Sequence, residues 1–228
     1  MLCSSCGREN DGDARFCQRC GAPLTQRPGA DETRKIVTVV FTDVAGSTAL
    51  GDRLDPESLR RLLWRWFDVA QETLERHGGT VEKFIGDAVV AMFGVPAARE
   101  DDALRAVRAA HELATRLDSL NADVERDHGV RLSTRTGVNT GEVIVGGGAG
   151  DQRLATGDAV NVAARLEGHA RAGEVVIGET TRAALGSGAQ VEDLGELPVK
   201  GRTGHVRAFL LRALAPEGRE RDQGLKHQ

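Results

Sequence analysis

Asp43 closes an apolar run, KIVTVVF, and is followed by VAGST; Asp87 follows FIG and opens a second run, AVVAMF. A carboxylate at a strand end beside a core is costly unless it has a partner. Two such carboxylates placed side by side on adjacent antiparallel strands repel unless a cation lies between them, and paired Mg²⁺ ions at such a place suit phosphoryl or nucleotidyl transfer. Gly46 allows a tight turn after Asp43, so Ser47 and Thr48 open a helix whose free N–H groups form an anion cradle. The neighbouring carboxylate can hold a hard cation bridging to phosphate. Taken alone, an Asp before a helix is more often a simple cap. Asn161 and Arg165 stand four apart in VNVAAR and project from one face of a small, apolar helix. A guanidinium held there can reach phosphate and stabilise charge developing in a transition state; taken singly, it could as well snorkel to solvent. Lys83 stands at the other end of a four-residue turn from Asp87 in TVEKFIGDAVVAMFG. A plain surface pair across that turn would be worth little.

All four cysteines fall in the first twenty residues, as two CxxC pairs, Cys3 with Cys6 and Cys17 with Cys20, each followed by glycine. Thiolates on two such knuckles close a tetrahedral Zn²⁺ site. Two disulfides would need an oxidising compartment, of which the sequence gives no sign. So short a segment has almost no apolar core, so the metal would supply its folding energy. The expectation is a structural zinc ribbon. Residues 1–33 carry four arginines against five acids and one aromatic, Phe16, which argues against a nucleic-acid reader and for a protein contact.

These groups need elements to position them. KIVTVVF reads as a buried strand. Asp55-Pro56 caps a helix in which Leu59, Leu62, Leu63, Trp66, Ala70 and Leu74 recur until HGG stops it. The two strands carrying Lys83 and Asp87 follow, then a second long helix with Leu104, Val107, Ala110, Ala114 and Leu117 on one face. RLSTRTGVN and GEVIVGG read as a hairpin around Asn139-Thr140-Gly141. GDAVNVAARLEGHA is a helix and GEVVIG a strand, and VEDLGELPVK and HVRAFLLR close the pattern. Trp64 and Trp66 cannot share a helical face, so one is expected in the core and the other at a dimer contact. His111 and His169 read as surface residues, and GGGAG at 146–150 as a flexible loop.

The predicted fold class is α+β: a ferredoxin-like, mostly antiparallel sheet with both long helices on one face, preceded by the ribbon. Expected boundaries are 1–22 for the ribbon, 23–33 for a Pro/Gly-containing linker, 34–212 for the large domain and 213–228 for a disordered tail. The 228 residues carry a net charge of -4 with 28% charged residues, so no general nucleic-acid surface is announced. No apolar run approaches the roughly 18 residues of a membrane span, and no secretory pattern opens the chain. The expected location is cytoplasmic.

FTDVAGST, EKFIGD and GDAVNVAARLE together resemble the catalytic domain of class III nucleotidyl cyclases, over about Arg34 to Leu211. The ribbon, the linker and REDDALRAVRAA are also similar to bacterial multidomain proteins in which such a cyclase precedes an ATPase. The resemblance implies conversion of a nucleoside triphosphate to its 3′,5′-cyclic monophosphate and pyrophosphate with two Mg²⁺ or Mn²⁺ ions. It implies that Asp43 and Asp87, with the Val44 carbonyl, hold the ions. Asn161 would position the ribose and Arg165 would stabilise the α-phosphate transition state. Lys200 would bind the terminal phosphates, and Lys83 would select the base. It further implies a homodimer with two shared sites, metals from one subunit and base and transition-state groups from the other. Leu154 stands where adenylyl cyclases carry Asp or Thr toward the adenine amino group, which removes a polar check on base choice. Lys83 still favours ATP. The expected activity is therefore that of an adenylyl cyclase. The alternatives are a cyclase with relaxed ATP/GTP selectivity and a weak or inactive nucleotide-binding module that docks through the ribbon. The signature of diguanylate cyclases is absent.

Overall fold

The computed structural model describes residues 1–3, 5–12, 14, 16–22, 24, 33–146, 155–198 and 205–215. The predicted linker apart from Leu24 and Thr33, the glycine-rich loop beyond Gly146, Leu154, Lys200 and the tail beyond Ala215 lie outside them. The chain divides into two compact units, Met1–Arg34 with Ile144–Ala155, and Lys35–Val143 with Thr156–Gln228.

In the smaller unit the cysteine knuckles are built as the spacing predicts. Gly7 and Gly21 adopt φ of 69° and 70°, a region open to glycine because it lacks Cβ. Each N–H turns back onto a carbonyl, Gly7 to Cys3 and Gly21 to Cys17, both at 2.9 Å.

The larger unit begins with β1 (Thr33–Val44), then α1 (Ser47–Gly51) and α2 (Pro56–Arg76). Asp55 caps α2, its Oδ1 accepting from the N–H groups of Glu57 (3.1 Å) and Ser58 (2.9 Å). The hairpin β2 (Thr80–Ile85) and β3 (Ala88–Phe93) follows, then α3 (Asp102–His128), which ends at Gly129 in the left-handed region. After β4 (Thr134–Val145) and the short β5 (Ala155–Thr156) come α4 (Asp158–His169), β6 (Val175–Gly178), α5 (Glu179–Leu185), β7 (Ala189–Pro198) and β8 (His205–Leu214).

The strands form one sheet in the order β2-β3-β1-β4-β6-β8-β7, with β5 paired to β4 off that path. The first four strands have the ferredoxin-like order. β6 joins β4 in parallel, and β8 and β7 extend the sheet antiparallel. Alternation along the strands separates two cores. Val40, Val44, Val89, Phe93, Val138 and Ile177 pack with Leu62, Trp66 and Leu74 of α2 and Leu113 and Leu117 of α3. Val176, Ala208 and Leu210 pack on the opposite face with Val162 and Leu166 of α4. Both long helices therefore share one face, as expected, and α4 covers the other.

Four readings change. β4 is one continuous strand of 12 residues and not a hairpin around Asn139-Thr140-Gly141. Asn139 is buried there and its amide donates to the Ala159 carbonyl of α4 at 3.3 Å, while a Cβ on Gly141 would stand 3.1 Å from that of Ala159. The turn after β2 is two residues, Gly86-Asp87, with Gly86 at φ 64°, so Lys83 lies within β2. α5 has no counterpart in the sequence reading. β8 runs to Leu214, where Ala213 and Leu214 pair with Gln190 and Ala189, inside the stretch expected to be tail.

Candidate active site

Asp43 occupies the penultimate position of β1, on the α4 side of the sheet, because Thr42 and Val44 take the opposite side. Asp87 sits on the β2–β3 turn. Two hydrogen bonds fix that turn, one to α2 and one to β1: the Trp66 indole Nε1–H donates to the Asp87 carbonyl at 3.0 Å, and the Val44 N–H donates to Asp87 Oδ2 at 3.2 Å. The two aspartates, 44 residues apart in sequence, are thus brought to adjoining strand ends. Val44 itself is buried.

Two charged residues that the motifs did not reveal complete this cluster. Arg135, near the start of β4, grips Asp43 with both arms of its guanidinium, Nε to Oδ1 at 3.2 Å and Nη2 to Oδ2 at 2.7 Å. Glu167, on α4, places Oε1 3.0 Å from the same Nε. Nε carries one hydrogen and donates it to Asp43, so Glu167 Oε1 is buried beside a positive charge without receiving a hydrogen bond. Burial first, then hydrogen bonding to Asp43 and its charge, push the Glu167 carboxyl up to about 7. The hydrogen bond to Asp43 leads in holding Arg135 protonated above its ordinary value. Three carboxyl groups thus face one guanidinium, an excess of hard oxygen donors suited to a divalent cation. A signal for both residues existed: Glu167 falls four after Ala163 on the buried phase of α4, and Arg135 falls two before buried Gly137 on β4.

α4 approaches β4 closely. A Cβ on Gly137 would overlap the Ala163 carbonyl oxygen and the Glu167 backbone nitrogen. At 3.6 residues per turn, Asn161 and Arg165 share a face roughly opposite that of Glu167. Asn161 is exposed and Arg165 half-buried, and among the described residues neither side chain makes a hydrogen bond or ion pair. Asp43, Val44 and Asp87 are therefore gathered in one place, while Asn161 and Arg165 are presented elsewhere.

Ser47 and Thr48 begin α1 after Gly46 at φ 74°. The Gly46 carbonyl accepts from Ala49 (3.0 Å) and Leu50 (3.2 Å), which leaves the Ser47 and Thr48 N–H groups outside the helical ladder. Lys83 pairs with Val90 just beyond a β-bulge and holds Nζ 3.3 Å from Glu82. Trp66 is fully buried, the core member expected of the two tryptophans, and Trp64 is 62% exposed; His111 and His169 are exposed.

At the N-terminus the Sγ atoms of Cys3, Cys6, Cys17 and Cys20 lie within 4.8 Å of one another. Cys3 to Cys20 and Cys6 to Cys17 are each 3.6 Å, close to the edge of about 3.8 Å that a tetrahedron of sulfurs about 2.3 Å from zinc requires. The Cys20 backbone N–H leads in drawing the Cys17 thiol down to about 6 against the penalty of burial. The donor set fits Zn²⁺.

Residues 30–213 match the model of the adenylate and guanylate cyclase catalytic domain, and residues 2–24 match a zinc-ribbon domain. Among solved structures, the adenylyl cyclase CyaB of P. aeruginosa superposes with a TM-score of 0.76 at 30% identity, covering 85% of this chain and 100% of that one. The guanylyl cyclase Cya2 superposes with a TM-score of 0.78, also at 30% identity, over 81% and 95%. A curated relative named adenylate cyclase 1, from Rhizobium meliloti, is 38% identical over 139 residues, 59% of this chain. The chain spans about a fifth of that relative's length. Among the described residues no helix is long and apolar enough to cross a membrane.

Proposed function

Because this chain belongs to the adenylate and guanylate cyclase catalytic-domain family, we propose that it converts ATP to 3′,5′-cyclic AMP and pyrophosphate at two sites shared by a homodimer. The observation that carries this reading is the division of the polar groups: Asp43 and Asp87 converge on one side of α4, and Asn161 and Arg165 stand on the other without partners of their own among the described residues. A domain with half a site on each side is completed by a second copy arranged head to tail.

In the reaction the ribose 3′-oxygen attacks the α-phosphorus, the bond to the β-phosphate bridging oxygen breaks, pyrophosphate leaves, and the hydroxyl proton departs. Asp43 and Asp87, with the Val44 carbonyl, hold the divalent cations, Mg²⁺ or Mn²⁺. Those ions, when bound, acidify the 3′-hydroxyl and neutralise the triphosphate. Arg165 of the other subunit stabilises charge growing on the α-phosphoryl oxygens, and Asn161 orients the ribose. The Ser47 and Thr48 N–H groups receive phosphate oxygens, and Lys200 binds the terminal phosphates. Lys83 reads the base; this lysine and the adenylate cyclases among the relatives support ATP over GTP. The cysteine cluster holds structural Zn²⁺ and presents the ribbon to a protein partner. The organisation proposed is ribbon 1–22, linker 23–33 and a cyclase domain from 34 that includes β8 to Leu214; matches to a zinc-ribbon domain over residues 2–24 and to the cyclase domain over 30–213 support it.

The test is cyclic nucleotide production by the purified chain with ATP or GTP and Mg²⁺ or Mn²⁺ over a range of protein concentrations. Cyclic AMP formation with specific activity rising with concentration is expected. A folded, zinc-loaded dimer that turns over neither nucleotide would instead be a binding module, and equal use of both would assign Leu154 a relaxed selectivity.

A further inference from the structure

We propose that Glu167 is a positioning residue that competes with Asp43 for the Arg135 guanidinium and thereby frees the Asp43 carboxylate to hold a divalent cation. This rests on the assignment of Asp43 and Asp87 as the cation-holding pair. Both Asp43 oxygens accept from Arg135, at 3.2 and 2.7 Å. A carboxylate held in this bidentate way must give up at least part of the grip before an oxygen can face a cation. Releasing it is costly if the guanidinium is left without an anion, because Arg135 is only 33% exposed.

Glu167 removes that difficulty by its placement. Its Oε1 is buried, 3.0 Å from Arg135 Nε and without a hydrogen from it. A small rotation of the guanidinium turns the Nε–H from Asp43 Oδ1 to Glu167 Oε1, so Arg135 exchanges one carboxylate for another and is never unpaired. Glu167 has no room to follow the charge elsewhere: its residue is 6% exposed, and its backbone is pressed against β4 at Gly137. A fixed acceptor beside a movable cationic fork makes Asp43 available without a large rearrangement.

The experiment is Mn²⁺ binding to the full chain, without nucleotide, by electron paramagnetic resonance and calorimetry at about pH 8. Wild type, Glu167→Gln, Arg135→Met and the double variant form a cycle. Glu167→Gln is expected to weaken Mn²⁺ affinity about 10-fold to 100-fold, the range for groups that orient metal ligands. In the Arg135→Met background the same change is expected to cost less than about twofold, since no guanidinium is left to compete for. Unchanged affinity in Glu167→Gln would overturn the proposal. So would an equal loss in both backgrounds, which would make Glu167 a simple negative charge near the ions. If Glu167→Gln does not fold, Glu167→Asp replaces it in the cycle: partial loss beside the native Arg135 and none in the Arg135→Met background upholds the role, and any other pattern refutes it. Mn²⁺ binding that survives Asp43→Asn would overturn the metal assignment and this role with it.

Discussion

Gly137→Ala probes the contact on which the placement of α4 depends. A Cβ at Gly137 would fall well inside the 3.0 Å that real Cβ atoms keep, against the Ala163 oxygen and the Glu167 nitrogen, with the Ala163 carbonyl carbon at 3.1 Å. All three atoms are helix backbone, so no side chain can swing aside. Either α4 moves outward or β4 bends. Overpacking of this kind costs about 1–3 kcal/mol, and in a chain of this size each kcal/mol lowers Tm by about 2–4 °C. A fall of about 2–12 °C in scanning calorimetry is therefore expected. The same movement carries Asn161 and Arg165, and misplacing reacting groups by about 1 Å lowers turnover about 100-fold. Gly168→Ala is the paired control: it lies on the same helix with open space where its Cβ would go. It should stabilise by roughly 0.5–1 kcal/mol, because alanine loses less backbone freedom than glycine, and leave kcat unchanged. A Gly137→Ala protein with wild-type Tm and wild-type cyclic nucleotide production would refute the argument that backbone contact sets the position of α4.

Mixing inactive Asp87→Ala with inactive Arg165→Ala should restore activity to about one quarter of wild type, because half of randomly exchanged dimers are mixed and each has one intact site; no recovery despite confirmed exchange would count against shared sites. Chelating zinc should make Cys3, Cys6, Cys17 and Cys20 react together with a thiol reagent while the calorimetric transition of the cyclase domain stays in place. Loss of that transition on chelation would show that the metal supports more than the ribbon. Glu112 is held below its ordinary value, first by its hydrogen bond with His77 at 2.7 Å. Its contribution to stability is therefore present above the ordinary value of 4.5 and is lost as pH falls through the depressed one. Glu112→Gln should flatten the acid side of a plot of Tm against pH, and an unchanged slope would remove this pair from the account.

The aspartates were legible because each interrupts an apolar run, and a lone carboxylate at a strand end has few structural explanations. The limits of α2 were equally plain, since Asp55-Pro56 and HGG are local signals. Where the reading failed, the cause was tertiary. Asn139 and Gly141 have the composition of a turn, yet they serve the approach of α4, one by donating to Ala159 and the other by lacking a side chain. Arg135 meets Asp43 across 92 residues of sequence, a separation over which no periodicity reports. α5 is seven residues with two adjacent threonines, too short and too β-branched for a helical pattern to emerge. Glu167 falls on the apolar phase of α4, but a single acid there points to nothing until its burial beside Arg135 is seen.

The bond from Trp66 to the Asp87 carbonyl gives the molecule a built-in optical probe. The chain has two tryptophans; Trp64 is open to an aqueous quencher and Trp66 is sealed in the core. In the separated subunit iodide silences the first and leaves emission from an indole whose N–H ends on the turn presenting Asp87. Its wavelength and lifetime respond to the polarity and geometry of that hydrogen bond, so rearrangement of the turn can be followed without a label and before any product forms.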